Sequence, residues 1–392
     1  MIKRNENFKR SDYLLIILLL IFSGNPITNF SFAEKYSLLI VTIIIIIAYR
    51  KEIKINFYKP FFIIASTLIL LYLCQLATLH FVSWLAGFRY IVTILFAGIV
   101  YYLLADRFSF MFFIAIYYIS LLSFVMFILI NLLHLPIPGI PFTYQRTIYI
   151  IYTYLGDPTH ALKNSGMFWE PGAFAGILMM CIGLNVKDLS FLWKTHKTKV
   201  VVVILALLTT QSTTGYITFF ITSIYYILFF VKNPLIKVAI IPAIFAISIL
   251  AYKNADFLQE KIKDQSEKTS ILGRGEFSNS RFGSFVFDLH YIKKHPLIGN
   301  GFSDITRYAD HPFLIGMHLG HANGFSNYMA CLGIPFMFFY LLLTFQALYK
   351  IERRQAFLVC LIIVLTLFGE QWLNFPLYLG IIFINNRRKY TF

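Results

Sequence analysis

About twelve apolar runs succeed one another along the chain, at 12–30, 36–49, 59–80, 82–104, 108–133, 167–186, 199–211, 215–231, 234–252, 325–349, 356–370 and 374–386. Most approach the roughly 20 residues an α-helix needs to cross a bilayer. A backbone in hydrocarbon must satisfy its own N–H and C=O groups, which leaves helices or a closed barrel. The runs are continuous and lack the two-residue alternation of barrel strands, so helices are expected. Composition agrees: 58% of the 392 residues are hydrophobic and 13% are charged. A water-soluble domain cannot hide that much apolar surface. The expected fold class is an all-α polytopic membrane protein, a single integral domain over residues 1–392 with about twelve transmembrane helices. No internal repeat is visible, which weighs against transporter folds built from duplicated halves.

A formal net charge of +16 raises the question of nucleic acid. The cations lie in short clusters between apolar runs instead: Arg50, Lys51, Lys54 and Lys59; Arg107; Lys187, Lys194, Lys197 and Lys199; Lys232 and Lys237; Lys350, Arg353 and Arg354; and Arg387, Arg388 and Lys389. The intervening short loops carry almost none. This is the positive-inside pattern; it implies cytoplasmic N- and C-termini and no nucleic-acid partner. Two longer loops then fall outside. The shorter, 134–166, is rich in proline and glycine and carries Arg146, Asp157, His160 and Lys163. The larger, 253–325, separates the ninth and tenth expected helices. The basic N-terminus before an apolar run resembles a secretory signal, but no small-residue cleavage site follows, and it reads as the first membrane helix. Cys74, Cys181, Cys331 and Cys360 lie in or beside apolar runs without a CxxC pair and read as small core residues.

Polar residues within apolar runs need a reason. Arg89 stands about 10 Å below the outer end of the fourth run, at 1.5 Å per residue. It either serves a function in a wet cavity or snorkels into a structural pair. Glu170, in Phe168-Trp169-Glu170-Pro171-Gly172, opens the sixth run. Pro171 suits the first turn and a carboxylate suits the helix dipole, so a cap and a functional carboxylate at the outer mouth are both open, as is a pair with Arg89. The Thr209–Gly215 turn reads as a tight connection whose hydroxyls satisfy backbone groups or touch a polar ligand. Trp372 reads as an interfacial anchor and Glu370 as a solvated carboxylate.

The 253–325 loop holds eight acidic residues, nine basic ones and five of the nine histidines. A polar helix is expected over Ala255–Lys268, ended by Gly273-Arg274-Gly275. A second follows Ser280, with Phe282, Phe285, Val286, Leu289 and Ile292 on one face and Arg281, Ser284 and Asp288 on the other. It reads as an amphipathic helix lying on the membrane, stopped by Pro296. His311, His318 and His321 close the loop. Their glycine-broken setting lacks a metal-ligand spacing, so no metal site is expected. A histidine here is a suitable proton acceptor or a solvated loop residue.

Arg281, the turn His295-Pro296-Leu297-Ile298-Gly299-Asn300-Gly301, the segment His321-Ala322-Asn323-Gly324, and Tyr328 with Leu332-Gly333 occur in an order that resembles the bacterial O-antigen polymerase and O-antigen ligase superfamily. The Phe168–Phe174 segment is similar to one in its polymerases. The resemblance covers mainly residues 167–340. It implies a GT-C-like membrane glycosyltransferase of lipopolysaccharide biosynthesis, multi-pass in the bacterial inner membrane, with short helices in one large periplasmic loop. Its donor and acceptor would be glycans on undecaprenyl diphosphate, and its partners membrane lipid and a chain-length regulator protein. Arginines suit a diphosphate leaving group by bidentate, permanently charged contacts. The implied catalytic residues are His321 as base, Arg281 and Glu170. Arg89, Arg274, Arg146, His318 and Asn323 are the implied substrate contacts. The loops outside carry no DxD-like carboxylate pair, so metal-independent transfer without a cofactor is expected. Polymerisation of repeat units is expected before the alternatives, a ligase acting on lipid A–core or a lipid-linked oligosaccharide flippase.

Overall fold

A computed structural model describes residues 9–29, 36–142, 146–149, 151–156, 161–235, 237–240, 242–243, 246, 263, 280–315 and 323–384. The protein is mostly helical (76%). Among the described residues, Phe57–Leu79, Trp84–Leu132, Pro171–Thr195 and Thr213–Phe230 are long and apolar enough to cross a membrane, and a broken pair raises the number to five. The helices are α1 (Arg10–Phe22), α2 (Leu38–Ala48), α3 (Ile55–Leu79), α4 (Trp84–Leu104), α5 (Phe108–Phe127), α6 (Pro171–Asn185), α7 (Leu189–Thr195), α8 (Lys197–Thr209), α9 (Thr213–Phe230), α10 (Arg281–Lys294), α11 (Asp304–Arg307), α12 (Gly324–Leu332), α13 (Ile334–Tyr349), α14 (Arg353–Leu367) and α15 (Pro376–Leu379). Apart from Lys263, the helix expected over Ala255–Lys268 lies outside the described residues, as does most of the one at 234–252.

Two compact units divide the chain. The first comprises Met1–Phe57, Thr93–Gln211 and Phe375–Phe392; the second comprises Tyr58–Val92 and Ser212–Asn374. In the first, α5 packs against α1, α6 and α8. Asp12 is buried on α1 and takes its counter-charge from Arg107, just before α5. Asn185 donates Nδ2 to the Ser109 carbonyl at 3.0 Å. Such pairings satisfy the few polar groups inside an apolar bundle. α1, α2 and α8, at 13, 11 and 13 residues, are each too short alone for a crossing.

The all-α expectation fails in the 134–166 loop. There β1 (Ile140–Phe142), β2 (Arg146–Ile148) and β3 (Thr153–Leu155) form an antiparallel sheet in the order β1-β2-β3. Prolines at 136, 138 and 141 deny this loop a helix, and strand pairing satisfies its backbone instead. The apolar run at 374–386 also departs from a single helix. α15 gives way to a 3₁₀ turn over Gly380–Phe383. Gly380 sits against the Tyr101 ring where a Cβ would collide.

In the second unit, α13 packs on α14, α14 on α9, and α10 on α12. The run expected as one span over 325–349 is broken: α12 and α13 meet at 117°. The cause is the turn after Pro296. Asn300 N–H donates to the Ala330 carbonyl at 2.8 Å, Gly301 N–H to Cys331 at 2.9 Å, and Ile334 N–H to Pro296 at 2.8 Å. Gln75, on α3, donates Nε2 to the carbonyls of Ile298 (2.6 Å) and Cys331 (2.9 Å). The last carbonyls of α12, orphaned in a free helix end, are thereby taken up. Two backbones this close leave no room for a Cβ: Gly299 (φ +71°) faces the Cys331 backbone, and Gly333 (φ +85°) faces the Leu297 carbonyl. Gly333→Ala adds both a positive-φ penalty and a backbone clash. It is expected to lower the thermal midpoint of the purified protein by several degrees or prevent its accumulation; an unchanged melting curve would contradict the turn's structural role.

Candidate functional site

α10 begins at a strong N-terminal signal. Ser280 has extended backbone (φ −74°, ψ 155°), and its hydroxyl accepts from Gly283 N–H at 2.9 Å. This fixes Arg281 on the first turn. Its Nη1 donates to the Thr214 hydroxyl at the start of α9. Its Nη2 lies 3.9 Å from Glu370 Oε1. Asn323 caps α12, accepting from Ser326 N–H at 3.1 Å, and its Nδ2 approaches the Arg281 carbonyl at 3.4 Å. Two distant segments therefore meet at the guanidinium, and a third at the Arg281 carbonyl.

Beside it opens a cavity of about 350 Å³ lined by Thr213, Thr214, Ile217, Thr218, Arg281, Phe282, Phe285, Asn323, Leu365 and Phe368. The apolar wall is largely aromatic. The Phe285 and Phe368 rings lie 6.3 Å apart, and Phe325 stacks on Phe368 at 5.2 Å. The Thr213 hydroxyl oxygen is buried with no hydrogen-bond partner among the described residues. A buried orphan hydroxyl costs roughly 1–3 kcal/mol unless something meets it. The cavity surface is mainly apolar, with Arg281, Asn323 and the α9 threonines supplying its few polar groups.

A second polar group holds this wall in place. Asp288, fully buried on α10, accepts from Arg307 through Oδ1 and from the Ser326 hydroxyl through Oδ2 at 2.6 Å. The Arg307 guanidinium lies over the Tyr291 ring at 4.6 Å and the Tyr308 ring at 5.3 Å. Burial pushes the Asp288 carboxyl up to about 6, against the opposing pull of Arg307 and Ser326. Outside this core, Asp310 bridges Lys294 (2.6 Å) and His290 (2.9 Å), whose hydrogen bonds hold its carboxyl below the usual range.

The other expected site residues are distributed as follows. Arg89 is half-buried on α4 in the second unit. Glu170 and Arg146 belong to the first. Glu170 is the N-cap residue of α6, in extended backbone, with its carbonyl receiving Phe174 N–H at 3.2 Å and no side-chain cap bond. Arg146 sits in β2, opposite Leu155 and Phe142. His318, His321 and Arg274 lie outside the described residues. The aromatics around Glu170 have packing work: Phe168 stacks on Phe174 at 5.7 Å, and Trp169 stacks on Phe375 at 4.7 Å. Glu370, read as solvated, instead has a side chain only 13% exposed beside Arg281. Its neighbours Arg281 and Gly324 come from segments far away in sequence. Thr214 and Phe368 were signalled by nothing more than a hydroxyl-rich turn and an apolar run.

No family model matches the chain, and no curated protein matches it.

Proposed function

We propose that the protein is a membrane glycosyltransferase that joins oligosaccharide repeat units carried on undecaprenyl diphosphate at the periplasmic face of a bacterial inner membrane. In this reading the chain crosses the membrane about twelve times, keeps both termini in the cytoplasm and holds residues 253–325 outside, as its charge pattern implies. The observation that carries the proposal is the cavity at Arg281, which this arginine and the threonines of α9 line together with the aromatic side chains of Phe285 and Phe368. A lipid diphosphate has the matching chemistry: anionic oxygens for the guanidinium and hydroxyls, an isoprenoid for the aromatic wall.

The acceptor's sugar hydroxyl attacks the anomeric carbon of the donor. The bond from that carbon to the diphosphate oxygen breaks, and the leaving diphosphate carries the negative charge to Arg281. The hydroxyl proton passes to His321, the base the family resemblance implies. Arg89, Arg146, Arg274, His318 and Glu170 are proposed to position the two substrates. Asn323 serves through its cap and its contact with the Arg281 carbonyl.

Deleting the gene tests the class of activity. A polymerase deletion is expected to leave lipopolysaccharide bearing a single repeat unit. Lipopolysaccharide without any unit would indicate a ligase, and repeat units stranded on the cytoplasmic leaflet would indicate a flippase. Transfer in vitro from a defined lipid-linked repeat unit completes the test.

A further inference from the structure

Among the described residues, the contacts of the Arg281 guanidinium include two oxygens of different kind. Its Nη1 donates to the neutral Thr214 hydroxyl, while its Nη2 stands 3.9 Å from the Glu370 carboxylate. At that separation the second contact is a charge interaction more than a hydrogen bond. The backbone that carries this carboxylate is held in place. Glu370 N–H donates to the Thr366 carbonyl at 3.1 Å, and its own carbonyl accepts from Trp372 N–H at 3.0 Å. Gly324 comes so close that a Cβ there would strike the same carbonyl. The Tyr328 hydroxyl donates to the next carbonyl, Gln371, at 3.0 Å. Glu370 is thus a negative charge carried on a turn whose main chain is pinned, 3.9 Å from the guanidinium.

We propose that Glu370 is a positioning residue for Arg281: its fixed charge aims the guanidinium and moderates its hold on a diphosphate, so that the product leaves. The proposal rests on the reading that Arg281 receives the diphosphate. It predicts opposite signs for two measurements. Neutralising Glu370 raises the net positive charge beside the cavity, so a diphosphate binds more tightly. The same change frees the guanidinium from its set direction and retains product, so turnover falls. A side chain needed only for folding would lower both together.

The test uses the full chain in nanodiscs, with Glu370→Gln and Glu370→Asp. Farnesyl diphosphate is the binding probe, followed by calorimetry, and a lipid-linked repeat unit is the substrate. Glu370→Gln is expected to bind the probe about threefold more tightly or better, as loss of a neighbouring like charge requires. Its kcat is expected to fall about tenfold with KM not raised, as misdirection of a positioned group gives. Glu370→Asp, which keeps the charge, is expected to recover most of the turnover. Weaker or unchanged probe binding in Glu370→Gln, or wild-type turnover, overturns the proposal. If the unmodified protein binds the probe yet transfers no sugar, the enzymatic reading fails, and the sign of the Glu370→Gln effect on binding still decides the role of Glu370. If the unmodified protein does not bind the probe, the proposal for Glu370 falls as well.

Discussion

Arg281→Ala is expected to abolish chain elongation while leaving the protein folded and at normal level in the membrane. The helix it opens does not depend on it, because the cap is supplied by Ser280. What is lost is a permanent charge at the place proposed to receive the leaving diphosphate. Removing one such preorganised donor typically lowers turnover by about 10²–10³-fold. Arg281→Lys is the sharper variant. Lysine keeps the charge but offers a single ammonium in place of a planar fork. It can reach the Thr214 hydroxyl or a phosphate oxygen, and it cannot hold both in the arginine geometry. It should therefore remain closer to alanine than to the unmodified protein. The measurement is the length distribution of glycan made by cells carrying each variant, against membrane levels of the protein. Normal elongation with Arg281→Ala would remove this residue, and the cavity beside it, from the reaction.

Helix α10 separates what its sequence carries from what only packing decides. Its start at Ser280 and its end before Pro296 follow from capping chemistry and from proline's missing N–H. Its two faces also follow from the spacing, and the outcome depends on the solvent around them. Ser284 and Asp288 are fully buried, while Phe282 and Val286 are 58% and 41% exposed. Ile292, expected on the same face as Phe282 and Val286, is buried instead, at 6% exposed. The sequence offers no way to know that Asp288 goes inside. Its charge is cancelled by Arg307, 19 residues further on, across an intervening turn. The same holds at the site: Arg281 was singled out by its motif, but its partner Thr214 lies 67 residues earlier. Local rules report caps, breaks and faces. Pairings across long separations are set by the packing of whole helices. The glycines at 299 and 333 are a middle case, since a turn was evident but not the α12 backbone it is fitted to.

Arg307→Met is expected to destabilise the second unit by about 3–5 kcal/mol, because it leaves the buried Asp288 carboxylate without its counter-charge. At roughly 2–4 °C per kcal/mol for a unit of this size, the thermal midpoint should fall by about 10 °C. The loss should depend on pH with a definite sign. Burial raises the Asp288 carboxyl to about 6 in the folded protein, above its unfolded value near 3.9. The folded state therefore binds the proton more strongly. This contribution is complete below the unfolded value and is lost as pH rises through the folded one. Without Arg307 the folded value moves higher still, so Arg307→Met should be least damaged near pH 5, where Asp288 is neutral, and most damaged at pH 7.5. Replacing both partners, Asp288→Leu with Arg307→Met, removes the buried charges together and should recover most of the midpoint, as apolar replacements of buried ion pairs do. The Ser326 hydroxyl then loses its acceptor, and the recovery stays incomplete by about 1 kcal/mol. A pH-independent loss in Arg307→Met, or a double variant no better than the single one, would show that Arg307 acts through its stacking on Tyr291 and Tyr308 rather than through its charge.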